Sequence, residues 1–242
     1  MKTIKTLCRS AACYMAVFAG CAAPPGQPRK DAETLAPSAV VDFATLYSEN
    51  CAGCHGPEGQ GGAAIALANP VYLQIVDEST LRSVIADGVG NTAMPAFAQR
   101  AGGMLTDAQI DILAREIRKR WERPDALVGL TIPSYRSQVT GSASDGQVAY
   151  QRHCSSCHGT SGQGTEKGSS ITNDSFLALV SDQGLRTMII AGRPELGAPD
   201  WRGRQSERPL SEQEVTDIVA WLGSHRRASP GQPYAASTYP QN

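Results

Sequence analysis

Cys51-Ala52-Gly53-Cys54-His55 and Cys154-Ser155-Ser156-Cys157-His158 are two copies of Cys-x-x-Cys-His, and their separation of 103 residues decides how the whole chain is read. Two thiols three positions apart lie on one helical turn, where both can bond the vinyl-derived carbons of a single porphyrin. The next residue then aims its imidazole at the metal. The motifs therefore predict two haem c groups, attached through Cys51 and Cys54 and through Cys154 and Cys157, with His55 and His158 as axial ligands of the irons. About 100 residues is a common size for one folding unit, so the spacing gives each haem its own domain. Zinc, the rival reading of paired cysteines, needs four ligands within one compact unit, which two separated motifs do not suggest.

Working outward, Asp42 to Asn50 reads as a helix with Phe43, Leu46 and Tyr47 on one face, and Gln147 to Arg152 reads as its counterpart before Cys154. Gly59-Gln60-Gly61 follows His55 at the offset at which Gly162-Gln163-Gly164 follows His158. A helix from Ser79 or Thr80 to Asp87, stopped by Gly88, is matched by Leu185 to Gly192. Pro95 and Phe97 correspond to Pro199 and Trp201. Thr106-Asp-Ala-Gln109 and Ser211-Glu-Gln-Glu214 are capping boxes that open terminal helices, the first carrying Ile110, Leu113, Ile117 and Trp121, the second Val215, Ile218, Val219 and Leu222. This internal repeat predicts domains over 40–123 and 143–227, a linker over 124–142 and a tail over 228–242.

Lys2, Lys5 and Arg9 precede an apolar run from Ala11 to Ala19, too short to span a membrane, so residues 1–20 read as a signal peptide. The run ends in Phe18-Ala19-Gly20-Cys21, which resembles a bacterial lipobox with Phe in place of the usual Leu. The expectation is an exported chain, lipid-anchored through Cys21 on the periplasmic side of a bacterial membrane. Residues 21–39, with Pro24, Pro25, Pro28 and Pro37, form a Pro-rich tether. Cys8 and Cys13 fall in the leader, so none of the seven cysteines is left for a disulfide. Only 6% of residues are aromatic, against 24 glycines and 15 prolines, so a core made of side chains alone would be thin and a buried porphyrin would fill it. Without the leader there are 19 basic and 23 acidic residues, and neither half is strongly basic, which argues against nucleic acid as a partner.

Each half resembles a class I cytochrome c domain, an all-α fold of three main helices around one covalently bound haem. The resemblance implies a methionine as the second axial ligand of each iron, in a loop before the last helix and followed by proline. Met94-Pro95, 39 residues after His55, meets that description, whereas Met104 lacks the proline and reads as a core side chain. Met/His ligation would raise the potential of the first haem into a range suited to electron transfer.

The second half departs from the family. Aligning Gly88 with Gly192 and Pro95 with Pro199 places Ala198 where Met94 stands, and alanine cannot bind iron. Met188 aligns with Val84 on the preceding helix and His225 closes the last one; both are substitutes at best, and Lys167 is a remote third. His153 should point away from the distal face. The second iron is expected to be open or weakly ligated, with a lowered potential and access for small ligands such as carbon monoxide. Arg193, Arg202, Arg204 and Arg208 surround this loop and could pair with propionates or guide an acidic partner.

The resemblance implies an electron carrier rather than an enzyme: a membrane-tethered dihaem cytochrome passing single electrons between redox complexes or other electron-transfer proteins, with no small-molecule substrate. A dihaem peroxidase-like enzyme is the first alternative, with Glu195 or Asp200 as the acid or base that peroxide chemistry needs. A haem-based gas or redox sensor is the second.

Overall fold

In the computed structural model, residues 35–90, 92–203 and 208–228 are described; the leader, Cys21, most of the tether, Arg204 and most of the tail lie outside them. Short polar side chains open the longer helices by accepting backbone N–H bonds that the first turn leaves unmade. Asp42 opens α1 (Phe43–Asn50), which runs into the single turn α2 (Ala52–His55). Asn69 caps α3 (Pro70–Ile75), Asp77 caps α4 (Glu78–Asp87), and the Thr106/Gln109 capping box opens α5 (Asp107–Trp121). The second half repeats the order. Ser142 opens α6 (Ala143–His153), followed by α7 (Ser155–His158), α8 (Asp174–Leu179), α9 (Asp182–Ala191) and, from the Ser211/Glu214 capping box, α10 (Glu212–Ser224). Among the described residues there are no strands, only isolated backbone bridges.

Three local expectations are corrected. The helix before Cys154 begins at Ala143, well ahead of Gln147, because the Ser142 hydroxyl accepts from the Asp145 N–H at 3.3 Å. The helices α3 and α8 are additional; at one and a half turns each they are too short to show a helical period. Met104 is 77% exposed rather than packed in the core. Gly102, at φ 87°, reverses the chain and Gly103 lies against the Phe97 backbone, so that Leu105 turns inward instead and donates its N–H to the Phe97 carbonyl at 2.8 Å.

Helix α4 packs on α5, and α6 on α10. The second pair comes close at Gly146, where a Cβ would lie 1.9 Å from the Asp217 carbonyl oxygen. The equivalent position in the first half is Phe43, which stacks on Tyr47 at 5.5 Å, meets Trp121 edge-on and carries the Arg120 guanidinium 4.5 Å above its ring.

The buried apolar side chains of both halves form one continuous core. Asn69, besides capping α3, donates from Nδ2 to the Ala191 carbonyl at the end of α9, 2.9 Å away and buried. The segment between the halves is bound along its length. Leu127 is buried, Gln183 donates to the Tyr135 carbonyl at 2.7 Å, and Gln213 to that of Thr140 at 2.9 Å. The buried Arg186 reaches the carbonyls of Ser134 and Tyr135, the Thr216 hydroxyl and the Glu212 carboxylate at 2.5 Å.

Glu214 is held down to about 2, first by the Arg208 guanidinium and then by the N–H and hydroxyl of Ser211, against the opposing effect of burial. Its folded value lies below the ordinary 4.5, so the stabilisation is complete above that pH and is lost as pH falls toward about 2. Glu214→Gln is expected to flatten the decline in urea-unfolding free energy over that window. An unchanged slope would show that other carboxylates carry it.

Candidate functional site

The two Cys-x-x-Cys-His turns have nearly the same backbone. Cys51 donates to Tyr47 at 2.8 Å, Cys54 and His55 both donate to the Cys51 carbonyl at 3.1 and 3.0 Å, and Gly56 closes the turn on Ala52. Cys154, Cys157, His158 and Gly159 repeat these bonds at 2.8, 3.1, 3.0 and 2.9 Å. Gly56 and Gly159 end the turns at φ 82° and 81°. Each turn is also held from outside by a tyrosine one helical turn upstream: the Tyr47 hydroxyl donates to the Gly56 carbonyl at 2.8 Å, and that of Tyr150 to Gly159 at 2.5 Å. Burial pushes both phenols up, Tyr150 to about 12, so they remain neutral donors.

The imidazoles are oriented by backbone. His55 Nδ1 lies 2.8 Å from the Ile65 carbonyl oxygen, and His158 Nδ1 lies 2.7 Å from that of Ser169. A carbonyl can only accept, so Nδ1 carries a proton and, in the neutral ring, Nε2 keeps its lone pair for a metal. Burial depresses the His55 pKa, Arg193 depresses it further, and the Ile65 bond opposes both. Burial also drives the Cys51 thiol up to about 12, the neighbouring Cys54 adding to the effect. Two thiols on one turn beside a neutral imidazole with a free Nε2 fit a c-type haem. Among the described residues, no group of three or more His, Cys, Asp or Glu side chains is gathered as a bare metal ion would need.

Further along each half, α4 and α9 end in equivalent corners. Gly88 (φ 67°) and Gly192 (φ 68°) each lie so close to the following loop that a Cβ would sit 2.6 Å from the carbonyl carbon of Pro95 or Pro199. The next nitrogen, of Ala96 or Asp200, would be 2.6 or 2.7 Å away. The two prolines thus hold the same place, and the residues before them are Met94 and Ala198. Met94 is half-buried, its carbonyl accepting from Val89 at 3.1 Å. Ala198 exchanges two backbone bonds with Arg193, at 3.0 and 3.1 Å.

The substitutes lie on different elements. Met188 is partly buried within α9. His225, at the end of α10, is half-buried rather than exposed, its ring edge-on to Trp221 at 4.6 Å and its Nδ1 2.8 Å from the Trp221 carbonyl. Lys167 is exposed, and the largely buried His153 side chain faces Glu214 at 3.9 Å. The described arginines around the loop are engaged within the chain: Arg202 with Asp200 at 2.6 Å, Arg208 with Glu214 at 2.5 Å, and Arg193 with Glu195. The sequence reading missed the two orienting carbonyls and the two tyrosines. The tyrosines left a signal, since each stands four residues before its first motif cysteine.

The family described as cytochrome c oxidase, cbb3-type, subunit III matches twice, over residues 38–115 and 141–222. The chain is 28% identical over 147 residues to the cbb3-type cytochrome c oxidase subunit CcoP of Azospirillum sp. (strain B510), covering 56% of this chain and 44% of that protein. It is 24% identical over 192 residues to subunit FixPc of Rhizobium leguminosarum bv. viciae, covering 76% and 61%. The chain thus spans about half the length of the first of these relatives. Among solved structures, the Kuenenia stuttgartiensis reducing HAO-like protein complex Kustc0457/Kustc0458 aligns over 80% of this chain and 100% of its own, with 17% identity and a TM-score of 0.39.

Tyr150→Phe leaves the buried Gly159 carbonyl with only the Gly162 N–H, at 3.3 Å, and is expected to cost about 1 kcal/mol. Guanidinium denaturation of the haem-loaded protein measures this, and Tyr47→Phe should cost a similar amount.

Proposed function

The chain belongs to the family of cytochrome c oxidase, cbb3-type, subunit III, and carries two c-type haems; from that premise we propose that it passes single electrons between redox complexes of a membrane electron-transport chain. The observation that carries this reading is the duplicated turn, in which each motif histidine is fixed by a backbone carbonyl with Nε2 left as donor. Each bound haem supplies an iron that takes up and returns one electron without further substrate chemistry. Cys51 and Cys54 hold the first group and Cys154 and Cys157 the second. His55 and Met94 ligate the first iron and His158 the second, each within its own domain, 40–123 and 143–227. Ala198 leaves the second iron open or atypically ligated, with Met188 and His225 as distant substitutes.

The peroxidase-like reading gains nothing from the distal loop. Glu195 is bound to Arg193, and Asp200 is bound through both carboxylate oxygens to Arg202, so neither is poised to manage protons. Among the described residues, no helix is long and apolar enough to cross a membrane. Export by residues 1–20 and a lipid on Cys21 would place the haems on the periplasmic side of the membrane.

Absorption and spin-resonance spectra test the ligation. One haem is expected to be low-spin, and the other to bind carbon monoxide when reduced. Ala198→Met is expected to convert the second to Met/His ligation and abolish that binding. Two low-spin haems in the unaltered protein, with no carbon monoxide complex, would overturn the open second site. For the anchor, Cys21→Ser is expected to release the protein from the membrane fraction; full retention would remove the lipid from the account.

A further inference from the structure

Arg193 begins the distal loop of the second half, yet its guanidinium ends in the first. Nη2 donates to the Gly62 carbonyl at 2.9 Å and Nη1 to that of Ala63 at 3.2 Å. These carbonyls lie two and three residues before Ile65, the residue whose carbonyl orients His55. The side chain is only 14% exposed, so solvent screens its charge weakly. Glu195, 23% exposed, binds Nε and offsets part of that charge. The backbone of Arg193 is fixed in turn by its two bonds to Ala198.

We propose that Arg193 is a positioning residue supplied by the second half to the first haem site, where it braces the segment that orients His55 and raises the reduction potential of the iron bound there. A fixed positive charge disfavours the more positive, oxidised state of a nearby centre. Glu195 acts in the opposite sense, as a partial counterweight. The fork to Gly62 and Ala63 keeps the guanidinium at a set distance, so the potential of one site depends on the fold of the other.

The inference rests on the reading of Cys51–His55 and Met94 as the first haem site, and the experiment separates the two. Both haem potentials are measured by optical redox titration in the unaltered protein and in Arg193→Gln, Arg193→Lys and Glu195→Gln; Met94→Ala marks which potential belongs to the first site. Arg193→Gln is expected to lower that potential, changing the oxidised-to-reduced ratio at fixed ambient potential by about threefold or more, the scale of one weakly screened charge. Arg193→Lys should retain most of the value, and Glu195→Gln should raise it. Hydrogen exchange in residues 62–65 should speed up in Arg193→Gln. An unmoved first potential in Arg193→Gln, or an equal fall in the Lys and Gln variants, overturns the proposal. If Arg193→Gln does not fold, Glu195→Gln decides: a rise supports the inference and an unchanged value overturns it. If Met94→Ala alters neither haem, the ligation reading falls, and the Arg193 inference is judged on whether the higher potential drops.

Discussion

Everything in this chain depends on a five-residue turn being held rigid at both ends. Cys-x-x-Cys-His has little stability by itself, since a single helical turn costs more conformational entropy than its one or two hydrogen bonds return. The protein supplies the missing constraint three times over. A helix feeds in from the N-terminal side, a tyrosine hydroxyl grips the glycine carbonyl that ends the turn, and a loop carbonyl fixes the histidine ring. None of these is part of the motif. Together they fix the orientation of each histidine ring, with Nδ1 on a carbonyl and Nε2 left out of that bond.

Duplication preserved that scaffold and let its surroundings diverge. The backbone hydrogen bonds of the two turns agree within about 0.1 Å, while the residues that pack on them do not. Phe43 gives the first half an aromatic and guanidinium stack where Gly146 gives the second a close helix crossing. His55 is buried, whereas His158 is only half-buried. At the distal corner the close approach of glycine to proline recurs, but the second loop adds a 3-10 turn over Pro194–Leu196 and a second Arg193–Ala198 bond, and the side chain changes from Met94 to Ala198. A side-chain change of that kind spares the corner, because the close contact there is made by Gly192 with Pro199 and Ala198 takes part only through its backbone.

Much of this was legible in the sequence because the decisive signals are local. Motif spacing gave the number of haems, capping boxes gave the starts of α5 and α10, and the Gly88/Gly192 and Pro95/Pro199 pairs gave the corners. The unread features depend on distance. Arg193 looked like one member of an exposed basic cluster, and only the fold reveals its reach across 130 residues to Ala63. Arg186 reads as an ordinary polar position on α9, yet it is buried with four partners. Met104 failed for the opposite reason: its position before a helix cap suggested a core side chain, and a glycine reversal just upstream sent it outward.

The segment over 124–142 shows what such long-range contacts do. Its prolines and glycines mark it as a linker, and the partners of Arg186, Gln183 and Gln213 lie along it while its own Leu127 is buried. Counting about 1 kcal/mol for each hydrogen bond and about 2 kcal/mol for a buried leucine, peeling it away costs several kcal/mol. An opened form at that cost is populated below about 1%. These bonds hold the segment on α9 and α10, while Asn69 and Arg193 bond directly from one half to the other. Those two crossing bonds are not duplicated by the repeat: Val89 stands where Arg193 does, so the contact between the halves is built from what the halves do not share.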